Sequence, residues 1–432
     1  MSELQKGWVV KTQNGKDVKI LDKLGEGGQG IVYKVTYDGK PMALKWYFQH
    51  KLKNPQKFYD NIQNNITHGR PTEAFLWPED ITEWVDNTFG YIMPLRPREF
   101  GDFAQYLLAR PEGKFRSGLA LVNTALNIVD GFMVLHRKGY NYQDLNDGNF
   151  FINFNTGDVL ICDNDNVMGH GFSSGIAGKC RYMAPEVVLG KNPDKQTDRY
   201  SLAVVLFLLL FVNHPLEGKA TNPPLMTEEL EKQYFGTDPV FILDPDNKSN
   251  IPIQGIHQNV IKKWPIFPQY VRDAFINTFS NEQLHAKKQR MMEKEWLKIF
   301  IRLRSEIITC GCGREIFIDP TQPVKCIYCG KQFAIPAYLK GKEFNVPIYP
   351  TVKLFACHTV DCNDDFKTPT AEVVVSKNNP GSMGIRNLSD TTWHVSGADG
   401  KSIPKGKDEV VKVASGIKID FGNNMVAEII GN

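Results

Sequence analysis

No unbroken apolar run in this sequence is long enough to cross a bilayer. The longest, "LAVVLFLLLFV" from Leu202 to Val212, falls well short of the ~20 residues a spanning helix needs, so it reads as a buried core helix. The N-terminal stretch "MSELQKGWVVKTQNGKD" lacks the apolar core of a signal peptide. These absences predict a cytoplasmic chain with no membrane contact. An excess of one charge is also missing: 51 Lys+Arg stand against 48 Asp+Glu, a net +3. That argues against nucleic acid or any other dominantly electrostatic partner. The short basic run Lys287-Lys288-Gln289-Arg290 reads as a solvated helix face. Cysteine is scarce, at eight in 432 residues. In a reducing compartment these are thiols or metal ligands rather than disulfides. There is no internal repeat and no low-complexity segment. At 42% hydrophobic and 23% charged residues, the composition is that of an ordinary globular protein, with room for roughly two to four domains.

The first part of the chain reads as strands. "WVVKTQNGKDVKIL" has two apolar runs around Asn14-Gly15, and "GIVYKVTYDGKPMALKWY" has two around Asp38-Gly39. Both are hairpin signals. "FGYIMPL" is a further strand. From about Phe103 the period becomes helical, and after Asp198 it stays mostly helical to about Arg304. Cysteine pairs then appear, followed by short strands separated by Gly, Asn, Asp and Lys, a spacing that suggests a small all-β sandwich. The expected organisation is a strand-rich lobe over 1–93, a helix-rich lobe over 97–303, a cysteine module over 304–340 and a β-sandwich over 341–432.

"LGEGGQGIVYKV" sets Gly25, Gly27, Gly28 and Gly30 between strand-like runs. Glycine lets backbone N–H groups approach phosphates without a Cβ in the way. A dinucleotide loop should open a helix, whereas here Ile31, Val32, Tyr33 and Val35 continue as a strand. That favours a glycine-rich hairpin covering a nucleotide. Lys45, in "MALKWY", sits on the same hairpin sheet. Further on, "YQDLNDGNF" supplies Asp144, suited to accept a proton, and Asn149. Asn149 and Asp163 of "ICDND" are oxygen ligands of the kind Mg²⁺ takes. "YMAPE" follows. Glycine loop, strand lysine, D-x-x-x-x-N, an acid and A-P-E, in that order, resemble the eukaryotic-type serine/threonine protein kinase family over about residues 15–303.

The resemblance implies an α+β, bilobal protein-kinase-like fold that binds ATP and Mg²⁺ or Mn²⁺ and phosphorylates protein substrates. Gly25, Gly27, Gly28 and Gly30 would cover the phosphates, and Lys45 would hold the α- and β-phosphates. Val32 and Ala43 would pack on adenine, Met93 would be the gatekeeper, and Pro94, Leu95 and Arg96 the hinge. Asp144 would be the catalytic base, with Asn149 and Asp163 binding the metal. Glu186 would pair with Arg290, and Asp198 would support the catalytic loop from below.

The departures are informative. The family's His-Arg before the catalytic aspartate is Tyr142-Gln143, so activity is expected not to require activation-segment phosphorylation, for instance at Ser173 or Ser174. The usual Lys is Asn146, and Lys179 is a candidate substitute for its charge. Asp-Phe-Gly is Asp163-Asn164-Asp165. The expected second helix, "NPQKFYDNIQNNITHG", contains no Glu, so the acidic partner of Lys45 is unassigned. The alternatives are a nucleotide-binding scaffold without turnover, or a kinase-fold nucleotidyltransferase. The wordings "LKWYF", "PTEAFLWPEDI" and "TDRYSLAVVLF" resemble a bacterial subgroup from tellurium-resistance-like clusters. That implies a type 2C protein phosphatase and a von Willebrand A-domain protein as partners.

Cys310-Gly311-Cys312 and Cys326-Ile327-Tyr328-Cys329 suit tetrahedral Zn²⁺ held by four thiolates, and they resemble a structural zinc ribbon; two disulfides are the alternative. In "CHTVDC", Cys357 and Cys362 read as isolated thiols. "GIRNLS", "TW" and "IKIDFG" resemble the second half of a forkhead-associated sandwich. The phosphothreonine-reading Gly-Arg and Ser-x-x-His of that family are absent, so a docking module is expected.

Overall fold

The computed structural model describes every residue except 1–2, 53, 170–177, 286–288, 321, 380, 399, 423 and 432. The chain divides into two compact units: 1–116 with 123–261 and 275–294, and 117–122 with 262–274 and 295–432.

The first unit opens with β1 (Val9–Lys11), β2 (Asp17–Glu26), β3 (Gly30–Tyr37) and β4 (Lys40–Tyr47). The helix α1 (Pro55–His68), β5 (Asp80–Ile81) and β6 (Gly90–Pro94) follow. The strands form one antiparallel sheet in the order β1-β2-β3-β4-β6-β5. Turn chemistry fixes the β3–β4 hairpin: Asp38 and Gly39 both adopt positive φ, 50° and 72°, as a two-residue turn matching strand twist requires. The resulting register sets Val32 opposite Lys45, and Ala43 opposite Met93 on β6.

Side chains alternate across the sheet. Met42, Leu44 and Trp46 join Val10, Val18 and Ile20 in one core. Ala43 and Tyr47 face the other way, toward Phe58 and Ile62 of α1, so Lys45 shares their face. α1 starts with a proline in its first turn and stops at Gly69, φ 71°, both ordinary helix punctuation. It buries Phe58, Tyr59, Ile62 and Asn65.

The helical part of this unit is built on Lys195–Phe211, whose residues from Thr197 to Phe211 are all buried. Asp194 caps it, accepting from the N–H groups of Gln196 and Thr197 and satisfying two of the helix's orphan donors. A further helix, Gly118–Arg137, whose first residues to Val122 belong to the second unit, is long and apolar enough by length and composition to cross a membrane, yet 67% of its most apolar window is buried. Ala125, Ile128, Val129 and Phe132 are fully enclosed, so it packs as a core helix.

In the second unit, a hairpin of Ile307–Thr309 and Glu315–Phe317 precedes two antiparallel sheets of six and four strands. One apolar core, including Leu339, Ile419 and Ile429 of the larger sheet and Leu354, Ala371 and Ile385 of the smaller, serves both.

Candidate active site

The cleft face of β4 presents Lys45, which is only 6% exposed. Its ammonium lies 3.2 Å from Asp163 Oδ1, 2.8 Å from Asp165 Oδ2 and 3.3 Å from Gln29 Oε1 of the glycine loop. Burial works against its charge, but Asp163 and then Asp165 outweigh it and raise its pKa well above the ordinary lysine value. The acid missing from α1 is therefore found at Asp165, which is fully buried and also accepts from the Tyr47 hydroxyl. Asp60, the acid of α1, is held instead by Gln56 at 2.8 Å. Glu73, beyond the helix, pairs with Arg70. Asn61 and Asn65 of α1 donate to the backbone carbonyls of Asp165 and Val167.

A short hairpin brings the acids together. Phe150–Ile152 pairs with Val159–Ile161 so that Phe150 faces Ile161, and the Cys162 N–H then donates to the Asn149 carbonyl at 2.9 Å. Asp163 follows directly, in the left-handed region at φ 54°. Gln143, just before Asp144, is left-handed at φ 68°. Such non-glycine backbone costs of order 1–3 kcal/mol and gathers at functional sites. Two features hold this geometry. The Tyr142 hydroxyl donates to the Cys162 carbonyl. Both Asp198 oxygens accept backbone donors of the loop, Tyr142 N–H at 2.6 Å and Gln143 N–H at 3.0 Å.

Asn146 ties the loop internally. Its amide donates to the carbonyl and carboxylate of Asp144, and its N–H donates to Asn149 Oδ1 at 2.6 Å. Burial, then the nearby Asp163 charge, push the Asp144 carboxyl up to about 6, against the opposing pull of Lys179. Lys179 itself pairs with Asp147 at 3.1 Å. A small open cleft beside Asp144 is lined by Gln143, Leu145, Lys179, Tyr182 and Met183 among others.

Two carboxylates, Asp163 and Asp165, thus meet one buried cation, Lys45, and a third, Asp144, feels the charge of both acids. The imbalance and the hard oxygen donors of Asp163 and Asn149 fit a divalent cation such as Mg²⁺. The glycine loop fits phosphate in a separate way. A Cβ on Gly30 would lie 2.1 Å from the Trp46 carbonyl, so packing alone demands glycine there. A Cβ on Gly25, Gly27 or Gly28 would meet nothing within 4 Å. Their bareness serves no internal packing and leaves the backbone open to a ligand. Ala43, Met93 and Cys162, with Val32, Leu95 and Phe151, form one apolar cluster between sheet and hairpin. Pro94 ends β6 opposite Met42. Arg96 pairs with Asp102 at 2.8 Å and stacks over Phe151.

Glu186 and Arg290 form a buried bidentate pair at 2.9 and 2.8 Å. Arg290 is therefore not on a solvated face, because a full-strength buried partner holds it. Lys287 and Lys288 lie outside the described residues, as do Ser173 and Ser174. A group that sequence reasoning missed lies beneath the loop. His136 contacts Asp198 Oδ2 at 3.1 Å and Glu293 Oε1 at 2.8 Å, and Arg199 grips the same Glu293 with two bonds. Burial disfavours a charged His136, but these two carboxylates raise its pKa. Its only sequence signal is a histidine near the end of a largely apolar helix.

In the second unit, the sulfurs of Cys310, Cys312, Cys326 and Cys329 all lie within 4.8 Å of one another. Gly313 and Gly330 turn the chain after each pair, at φ 80° and 73°. Cys357 contacts the neighbouring His358 ring at 3.6 Å.

A family model described as the protein kinase domain matches residues 18–252, just over half of the chain. Relatives include the serine/threonine-protein kinase AtPK2/AtPK19 of Arabidopsis thaliana, 34% identical over 47% of this chain and 43% of its own length. The serine/threonine-protein kinase Pkn1 of Myxococcus xanthus is 26% identical over 49% of this chain and 31% of its own. A probable serine/threonine-protein kinase of Dictyostelium discoideum, gdt4, is 28% identical over 45% and 12%. The chain spans less than half the length of these curated relatives. With the matched span enclosing the glycine loop, Lys45, Asp144, Asn149 and Asp163, the chain belongs to the protein kinase domain family.

Proposed function

We propose that this protein is an ATP- and Mg²⁺-dependent kinase that phosphorylates serine and threonine hydroxyls of protein substrates. The observation that carries the reading is the meeting of Lys45 with Asp163, 118 positions apart in sequence, at 3.2 Å, beside a second carboxylate raised to about 6 at Asp144. Phosphoryl transfer asks mainly for positioning and charge neutralisation. Lys45 and the bare backbone of Gly25–Gly28 would hold the phosphates, and Ala43, Val32, Met93 and Phe151 would enclose the base. An acceptor hydroxyl entering the cleft beside Asp144 would pass its proton to that carboxylate, whose pKa suits a general base near neutral pH. Mg²⁺, held by Asn149 and Asp163, would neutralise the phosphate charge.

Gln143 carries no cation to receive an activation-segment phosphate, so the enzyme is read as active without one. The four-cysteine cluster is read as a closed structural Zn²⁺ site. The two C-terminal sheets are read as a forkhead-associated-like sandwich serving as a docking module. A type 2C phosphatase and a von Willebrand A-domain protein are the partners proposed from the sequence wording.

The test is incubation of purified protein and an acceptor with γ-labelled and, separately, α-labelled ATP plus Mg²⁺ or Mn²⁺. γ-label on Ser or Thr, abolished in Asp163→Ala, is the expected result. α-label would replace this reading with nucleotidyl transfer. Nucleotide binding with no label would replace it with a scaffold.

A further inference from the structure

In this site the carboxylate paired with Lys45 comes from the metal-binding segment and not from α1. Asp165 Oδ2 is 2.8 Å from the Lys45 ammonium, and both groups are buried. The Tyr47 hydroxyl, two residues along β4 on the same face, donates to that same oxygen. The other oxygen, Oδ1, is buried without a partner among the described residues. So is the hydroxyl of Tyr91, which stands opposite Lys45 in the β4–β6 register. A buried carboxylate with one unsatisfied oxygen costs stability, which is unexpected for a residue that only fills space. What α1 offers instead is neutral. Asn61 bonds the Asp165 carbonyl at 3.3 Å and the Val167 carbonyl at 3.0 Å, and Asn65 bonds the latter at 3.1 Å. The acids near α1 are spent elsewhere, Asp60 on Gln56 and Glu73 on Arg70.

We propose that Asp165 is the positioning residue for Lys45, so that the nucleotide-ready lysine is set by the segment carrying Asp163, with α1 acting only as an amide clamp on that segment's backbone. The proposal rests on the reading that Lys45 faces the phosphates of ATP. It implies that the lysine is in place whenever Asp163 is, without a separate docking of an acid from α1. Ordering of the 163–167 segment then becomes the single step that assembles lysine and metal ligand together.

The test uses the full chain. In Asp165→Asn, kcat should fall at least tenfold, because the lysine that the group positions is no longer set for transfer. Tyr47→Phe, which leaves the charges intact, should lower kcat two- to fivefold and serves if Asp165→Asn does not fold. Asp60→Asn and Glu73→Gln should leave kcat unchanged. Calorimetry with Mg-ATP supplies an arm independent of turnover. Asp165→Asn should change affinity at least fivefold in the presence of Lys45, and less than twofold in a Lys45→Met background. A folded Asp165→Asn protein with near-wild-type kcat would overturn the proposal, as would an equal effect on affinity with and without Lys45. So would a tenfold loss in Asp60→Asn or Glu73→Gln. Wild-type protein that binds ATP but transfers no phosphate would refute the proposed activity, while the calorimetric cycle would still decide the pairing.

Discussion

Asp144 holds its charge against its surroundings. Burial and Asp163 lift its pKa from 3.8 to about 6, so the folded chain binds that proton more tightly than the unfolded one. The sign is opposite to that of most carboxylates: its contribution to stability is greatest below pH ~4 and is lost as pH rises to about 6. A lift of that size corresponds to about 3 kcal/mol at most. Asp144→Asn should therefore stabilise the fold at pH 7 by about 1–3 kcal/mol in denaturant unfolding while abolishing transfer, a trade of stability for function. In the active protein kcat/KM should fall with unit slope as pH drops below about 6. Raising Mg²⁺ should move that limb lower, because a cation at Asp163 cancels the charge that lifts Asp144. A loss of stability in Asp144→Asn would mean that its bonds to Asn146 matter more than its desolvation. Gln143 supports a second expectation. On the proposal that Gln143 stands where a phosphate-receiving cation would be needed, Ser173→Ala with Ser174→Ala should leave turnover within about twofold of wild type in steady-state assays. The candidate site residues were legible because their order and spacing are linear. Asp165 was not, because its role follows from a register and a hairpin that bring it to Lys45 from 120 positions away.

The elements that sequence made legible are those with local causes. Asn14-Gly15 and Asp38-Gly39 announce hairpins because their positive φ suits the turn. Lys195–Phe211 announces itself by an apolar run that an Asp194 cap begins. The ion cluster beneath the catalytic loop has no local cause: His136, Asp198, Arg199 and Glu293 come from three helices and meet only in the folded chain. Its worth should show in Glu293. Burial pushes the Glu293 carboxyl up, but bonds from His136 and Arg199 prevail and lower it to about 2. The resulting stability is present above pH 4.5 and is lost as pH falls through about 2. Glu293→Gln should cost about 3 kcal/mol at pH 7, since it strands a buried Arg199, and its stability should fall less steeply than the wild type's across that acid window. Because Asp198 bridges this cluster to Tyr142 and Gln143, kcat should fall as well. For the cysteine cluster the prediction is compositional. Metal analysis should find about one zinc per chain, and chelation should lower the melting temperature, because four cysteine sulfurs gathered within 4.8 Å would be stabilised by a metal bound between them. Folded, metal-free protein of unchanged melting temperature would sink the zinc assignment.

At the scale of the whole chain, composition locates a boundary near residue 303, where cysteine pairs replace helix formers. The second compact unit, however, takes in 117–122 and 262–274 as well as the chain from 295 onward, and the bonds that hold it explain why. The Gly118 N–H donates to Glu315 Oε2 at 2.5 Å. The Phe267 ring stacks on Phe317 at 4.8 Å. The Tyr270 hydroxyl donates at 2.6 Å to Glu306, a fully buried carboxylate that burial pushes up to about 7 despite Tyr270 and Arg302. Arg302 completes this group, bonding Glu306 at 2.9 Å and lying 3.7 Å over the Tyr270 ring. Residues before 303 thus depend on partners after it. A chain cut at 303 would expose Phe267 and leave Tyr270 and Arg302 without their carboxylate, a loss of several buried contacts worth of order 1–3 kcal/mol each. At 2–4 °C per kcal/mol for a domain of this size, the 1–303 chain should melt at least ~5 °C below the full chain. Glu306→Gln in the full chain should show a smaller drop through the same contacts. If instead 1–303 melts with the full chain, then 117–122 and 262–274 draw nothing from the hairpin after Ser305, and the C-terminal module is a detachable appendage of an autonomous kinase domain.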